Sequence, residues 1–274
     1  MAENIRTTGV FRGKEGELVD ILRPAGGVWG IVIDDLNGGG VFEFSADRQF
    51  LAASIIKIPI MMAAFERVRD GRLRLDDTLV LTKEYKVGGS GVLLELHDGL
   101  RLTLLDAIHL MIVVSDNTAT NLVIDAIGGI DVVNDYMSRK GLKYSRLENY
   151  LMKPKPGGPR NSVTPRDVAY LLRGIATRSI DDPGDCGSML EILKRQQYND
   201  KIPRILPPEV KCAHKTGELD GVTHDAGIVT GPDANFVIVC LSQGLLNTRE
   251  GDRTIGDVAK WAYDILSQSP VVKE

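Results

Sequence analysis

A serine and a lysine stand three residues apart in a stretch that is otherwise apolar or small, "FLAASIIKIPIMMAAF", Phe50 to Phe65. On a helix, Ser54 and Lys57 would share one face and come within reach of each other. An unpaired ammonium among Ile55, Ile56, Ile58 and Met61 is costly, so it either escapes to water along its stem or is used. Burial lowers the pKa of a lysine. A lysine made neutral in this way can take the proton of a serine hydroxyl, which is a poor nucleophile without a base. At the first turn of a helix, charge developing on Ser54 would also meet the positive end of the dipole. The plainer alternative is an N-cap serine followed by a lysine that reaches solvent.

Two further motifs bear on that choice. Ser115, Asp116 and Asn117 form SDN between two apolar helical patterns; alone, they read as a helix break whose Ser and Asp cap the next helix. Lys215, Thr216 and Gly217 form KTG at the end of a strand pattern; alone, they read as an edge strand with a solvated lysine. S-x-x-K, S-D-N and K-T-G in this order are the signature set of class A β-lactamases and penicillin-binding proteins. On these motifs the sequence resembles the penicillin-recognising serine hydrolase superfamily, on its class A-like branch, from about Trp29 to Leu266. "SDNTATNLVIDAIGG" is particularly similar to the class A pattern.

The resemblance implies a role for each matching residue. Ser54 is similar to the acylated nucleophile, and Lys57 would accept its proton or orient it. Ser115 would pass a proton to the leaving nitrogen. Lys215 would add positive charge near Ser115 and the substrate carboxylate, to which Thr216 would donate. Asn117 would hydrogen-bond the amide of the substrate side chain. Gly217 would let an extended substrate lie against the strand edge. The backbone N–H groups of Ser54 and Glu218 would form the oxyanion hole.

The sequence also departs from that family. Class A enzymes carry a glutamate, within E-x-x-L-N, that activates the deacylating water. Aligned through Arg146-Leu147 and Thr164-Pro165, that position falls on Leu151, and no E-x-x-L-N follows. The family's loop-closing Arg and Asp fall on Asn149 and Asn161, so their ion pair is absent. Leucine cannot be a base, and losing a positioned base costs about 10²–10⁴-fold in the step it serves. Glu148, the nearest carboxylate, reads better as an exposed loop charge. His224 and Asp225 lie on the strand where class A enzymes often place a carboxylate-binding arginine, a position aligned with Ala226. His224 is either a contact in the site or a structural histidine. His97 and His109 stand in no constellation.

These residues need elements to position them. A short helix is expected over 13–23, ahead of Pro24 and Gly26-Gly27. Two strands joined at Asn37-Gly38-Gly39-Gly40 follow. A helix over about Ser54 to Arg69 stops at Asp70-Gly71. Leu73 to about Gln197 reads as mostly helical, with Thr103 capping one helix and Asp106 three residues on. Residues 152–167 form a Pro- and Gly-dense loop. Three strands follow Pro207-Pro208, then a helix from about Asp252 to Ser267. The expected fold is α+β and β-lactamase/transpeptidase-like: an antiparallel sheet built from both ends of the chain, flanked by helices, with a helical insertion. The expected division is 1–53 with 203–274 for the sheet part, and 54–202 for the helical part.

Composition excludes several classes. Of 274 residues, 43% are hydrophobic and 26% charged, and the net charge is −4, so no polyanion partner such as nucleic acid is expected. Aromatics at 5% give no base-stacking surface. Cys186, Cys212 and Cys240 are odd in number, far apart and without metal-ligand spacing, and read as free thiols. "MAENIRTTGVFRGKEGELVD" has no apolar core of a signal peptide, and no run is long enough to span a bilayer. The compartment stays open between cytoplasmic and exported, and so does the oligomeric state.

The resemblance implies acyl transfer without metal or organic cofactor, on a small β-lactam or a peptidoglycan peptide. The readings are a class A β-lactamase-like hydrolase with slow deacylation, or a D-alanyl-D-alanine peptidase on the same fold. An esterase or amidase with a small acyl substrate and a non-catalytic binder that traps its ligand are further readings. A glutaminase also uses Ser-x-x-Lys, but KTG fits the lactam-recognising group better.

Overall fold

The structure is a computed structural model that describes residues 4–268; the outermost residues of the expected division, 1–3 and 269–274, lie outside it. The elements are β1 (Ile5–Thr7), α1 (Glu15–Leu22), β2 (Val28–Asp35), β3 (Val41–Phe44), β4 (Phe50–Leu51), α2 (Lys57–Arg69), β5 (Thr78–Val80) and β6 (Arg101–Thr103). After them come α3 (Leu104–Val113), α4 (Asn117–Ala126), α5 (Ile130–Arg139), β7 (Ser162–Val163), α6 (Pro165–Ala176) and α7 (Pro183–Leu193). The last are β8 (Lys211–Leu219), β9 (Val222–Thr230), β10 (Asn235–Gln243) and α8 (Thr248–Ser267). The main sheet has the order β1-β3-β2-β10-β9-β8 and every pairing in it is antiparallel. Strands from early and late in the chain meet where β2 pairs with β10.

The long apolar runs of β2 and β10 follow from burial on both faces. Successive strand residues point to opposite sides. Phe236, Ile238 and Cys240 therefore face one core with Ile31 and Ile33, while Val237, Val239 and Leu241 face the other with Val32. The first core is closed by α8, whose Ile255, Val258, Ala259, Ala262 and Leu266 recur at helical spacing. The second core continues into the helical part. Its centre is α2, buried without a break from Lys57 to Phe65.

The mostly helical expectation for Leu73 to Gln197 fails over 73–103. That segment is loop, a two-stranded β5–β6 ribbon and one 3₁₀ turn at Leu93–Glu95. Gly89, Gly91 and Gly99 all take positive φ, which a helix forbids. The loop is held instead by the buried Asp116 carboxylate, which accepts from the N–H groups of Val92 (2.6 Å), Leu93 (2.8 Å) and Ala119 (2.8 Å). The capping box of Thr103 and Asp106 at α3 is present as expected. The Pro-rich loop ends earlier than expected, because Thr164 caps α6 and Pro165 takes its first position. The last helix starts earlier too, capped by Asn247. Among the described residues, no helix is long and apolar enough to cross a membrane.

Candidate active site

Ser54 lies in a 3₁₀ turn, Ala53–Ile56, and α2 begins only at Lys57. The helix expected to start at Ser54 is thus entered through a tighter turn. Ala53, just before it, has φ 43°, a left-handed conformation that costs of order 1–3 kcal/mol in a non-glycine residue. Ser115 is held in the same region at φ 53°. Both strained residues adjoin or belong to the motifs.

Lys57 is fully buried, but its partners are not those its spacing suggests. Its Nζ bonds the Ser115 carbonyl (2.7 Å), Ser115 Oγ (3.0 Å) and Asn117 Oδ1 (2.8 Å), and makes no hydrogen bond to Ser54 among the described residues. Lys215 is equally buried, against the solvated-edge reading, although β8 is indeed an edge strand. Its Nζ donates to Ser115 Oγ (3.0 Å) and to the Thr216 carbonyl (2.7 Å). Helix, turn and strand thus converge on one hydroxyl.

The charges follow from this packing. Burial drives the Lys57 pKa well down, the Lys215 charge adds to the effect, and Asp116 opposes it. Burial also pushes Lys215 down to about 7, against the pull of Asp225. Lys57 Nζ directs its N–H bonds to the Ser115 carbonyl, Asn117 Oδ1 and Ser115 Oγ. Lys215, as the ammonium, donates to the same oxygen.

A cavity of about 440 Å³ opens beside Ser54, with Asn117, Leu151, Arg160, Asn161 and Glu218 among its lining. Lys57, Ser115, Lys215 and Thr216 are buried and do not line it. A Cβ on Gly217 would lie 3.2 Å from the backbone nitrogen of Ser54, so β8 approaches the serine closely there and a side chain would have to push its neighbours aside by a few tenths of an ångström. Gly217 and Glu218 therefore flank Ser54 along the strand edge. The Glu218 carboxylate turns to the buried Lys201 Nζ (2.6 Å).

Leu151 presents an apolar side chain to the cavity. Its own backbone is fixed by Asn121, which accepts from its N–H (2.8 Å) and donates to its carbonyl (3.1 Å). Asn149 and Asn161 close the loop without charge. Asn161 Oδ1 accepts from the N–H groups of Glu148 (2.7 Å) and Asn149 (2.9 Å), and Asn161 Nδ2 donates to the Asn149 carbonyl (3.0 Å). Amide hydrogen bonds stand where the expected ion pair is missing.

Other candidates fall outside the cavity. His224 is buried; Nε2 meets the Leu51 carbonyl (2.8 Å) and Nδ1 faces the Ser242 N–H (3.1 Å), so the structural reading holds and the contact reading does not. Burial pushes its pKa down to about 4. Asp225 pairs with buried His214 (2.9 Å) and caps the Ile202 N–H (3.1 Å). Glu148 does not line the cavity and lies 3.7 Å from Arg146. His97 and His109 do not line the cavity either. The sequence reading missed Asn121, although it lies four residues after Asn117 on one helix face. Asp116 caps α4 as its place in the sequence suggests, but its hold on the distant Val92–Leu93 backbone, which has no local signal, was missed.

A model of the β-lactamase enzyme family matches residues 15–266. The chain belongs to that family. A β-lactamase from Sphaerobacter thermophilus shares the fold with a TM-score of 0.88 and 37% identity, covering 95% of this chain and 99% of that one. A mutant of PBP-A, leucine replaced by glutamate, solved as an acyl-enzyme complex with penicillin G, matches at TM-score 0.86 and 29% identity, covering 93% of this chain and 96% of the other. β-Lactamase PSE-4 of Pseudomonas aeruginosa is 28% identical over 146 residues, 52% of this chain. That match spans about half the length of PSE-4. The family fold, α+β with one antiparallel sheet flanked by helices, is the fold described above.

Proposed function

We propose that this protein is a serine acyl-transfer enzyme of the class A β-lactamase type, in which β-lactams acylate Ser54 and the acyl-enzyme is hydrolysed slowly. The observation that carries the reading is the pair of buried lysines meeting at Ser115 Oγ beside a cavity that contains Ser54. Ser54 Oγ attacks the lactam carbonyl carbon, and Lys57 takes its proton once Nζ turns from Ser115 and Asn117 to the hydroxyl. A C–O bond forms, and the oxyanion rests on the N–H groups of Ser54 and Glu218. Collapse breaks the C–N bond. Ser115 gives its proton to the leaving nitrogen and recovers one from Lys57, so the serine proton ends on that nitrogen. Lys215 and Thr216 take the substrate carboxylate, Asn117 bonds the acyl amide, and Gly217 leaves room for the acyl chain along β8.

Hydrolysis of the acyl-enzyme then needs a water and a base. Leu151 supplies none, although it lines the cavity beside Ser54. This feature favours a second reading, a D-alanyl-D-alanine peptidase that β-lactams inhibit by stable acylation. The similarity to PBP-A, a penicillin-binding protein by its name, supports that reading.

Stopped-flow kinetics with a chromogenic cephalosporin, joined to intact-protein mass spectrometry, tests both. A burst of one equivalent and a lasting adduct on Ser54 is the expected result. Rapid turnover with no adduct would overturn the role given to Leu151. Absence of both would overturn the β-lactam reading.

A further inference from the structure

Two charged side chains line the cavity beside Ser54, Arg160 and Glu218. Glu218 is balanced by Lys201 at 2.6 Å. Arg160 is exposed and has no hydrogen-bond or ion-pair partner among the described residues. Arg166, in the first turn of α6 just after the loop, is by contrast tied to Asp47 and Glu43. Arg160 is also firmly based. The carbonyl of Pro159 before it accepts from Asn149 Nδ2 (2.7 Å), and the carbonyl of Asn161 after it accepts from the Ala52 N–H (2.8 Å), two residues ahead of Ser54. The cation therefore springs from a point fixed relative to the nucleophile.

The side of the substrate it faces is set by the lining. Lys215 and Thr216, assigned to the carboxylate beside the leaving group, are absent from this cavity, whereas Asn117, assigned to the acyl amide, is part of it. The cavity is thus the compartment of the acyl group. Leu151, Pro154 and Leu219 make much of its wall apolar, and Arg160 leaves one unbalanced positive charge on it.

We propose that Arg160 determines specificity by pairing with a carboxylate on the acyl portion of the substrate. The preferred acyl donors are then lactams or peptides with an anion on the acyl side of the scissile bond. This rests on the acyl-transfer reading above. An exposed pairing of this kind is worth a modest factor, about fivefold, and fades with added salt.

Benzylpenicillin and its α-carboxy analogue, carbenicillin, differ by one carboxylate on the acyl side chain. The expected result is a ratio of acylation rates that favours carbenicillin and falls about fivefold in Arg160→Gln, with partial recovery in Arg160→Lys. The same ratio in all three proteins would overturn the proposal. Equilibrium binding of the two ring-opened penicillins, which requires no acylation, separates the two readings. A preference for ring-opened carbenicillin, which carries three carboxylates against two, that Arg160→Gln abolishes, without any adduct on Ser54, would sustain Arg160 and sink the acyl-transfer reading. Adducts from both penicillins with no Arg160-dependent preference would do the reverse.

Discussion

Lys57 and Lys215 reach the same oxygen: each Nζ lies 3.0 Å from Ser115 Oγ. Two buried ammonium groups on one hydroxyl would repel strongly, and the arrangement is stable when one of them is neutral. Burial and the Lys215 charge both favour the neutral form of Lys57, and Asp116 opposes them.

This sets the pH dependence of acylation. Lys57 must be neutral to accept the serine proton, so the rate rises as pH climbs through its lowered pKa. Lys215, pushed down to about 7, loses its charge above that value and with it the attraction for the substrate carboxylate. Second-order acylation constants should therefore decline on the alkaline side from about pH 7. A lactam esterified at that carboxylate should show no such decline; an identical alkaline limb for acid and ester would remove Lys215 from substrate binding.

Lys57→Ala should slow acylation by about 10²–10⁴-fold. The helices remain, as far-UV circular dichroism would show, because the lost side chain is one member of a long buried face. Adduct formation followed by mass spectrometry reads the rate; acylation at the native rate would exclude Lys57 as the base.

Leu151→Glu should restore hydrolysis of the acyl-enzyme by about 10²-fold, the low end of the range for a positioned base, because the E-x-x-L-N partner is missing. The new carboxylate enters a nearly buried position, so thermal stability should drop. Decay of the isolated adduct is the measurement, and an unchanged lifetime would mean that the missing base is not what limits turnover.

His224 makes stability depend on acid. Its folded pKa is depressed to about 4 from 6.5, so the unfolded chain binds the proton more readily. Its contribution is complete above pH 6.5 and is lost as pH falls towards 4, to an extent of at most about 3 kcal/mol. His224→Gln, which keeps a donor for the Leu51 carbonyl, should flatten the decline of the melting temperature between about pH 6.5 and about pH 4. Parallel declines in both proteins would point to other groups.

The three motifs were legible because their chemistry demands particular residue types at particular offsets. The sheet was legible because β10 alternates between two apolar cores, which leaves an unbroken hydrophobic run in "NFVIVCL". Residues 73–103 were not. There Leu81 and Leu93 are buried anchors of a segment whose shape is set by positive-φ glycines and by Asp116 more than twenty residues away. The partner of Lys57 was hidden for a related reason: local spacing points to Ser54, while the bonds are made across the fold to Ser115 and Asn117. His224 shows the limit of motif proximity, since a residue paired directly with Gly217 on the neighbouring strand is wholly buried.

The bond from Lys215 to Ser115 spans 100 residues of chain, and β8, which brings Lys215, forms the outer edge of the sheet. Contacts so distant along the sequence form late, after the intervening chain has been ordered. An edge strand is also the easiest to release once formed. If Ser54 is acylated as proposed, reactivity towards penicillin becomes a clock for the docking of that strand. A fluorescent penicillin added at intervals during refolding should label Ser54 only after helix content has recovered; labelling that keeps pace with the helices would show that the strand docks early. In gentle denaturant the same coupling makes the protein fall silent before it melts.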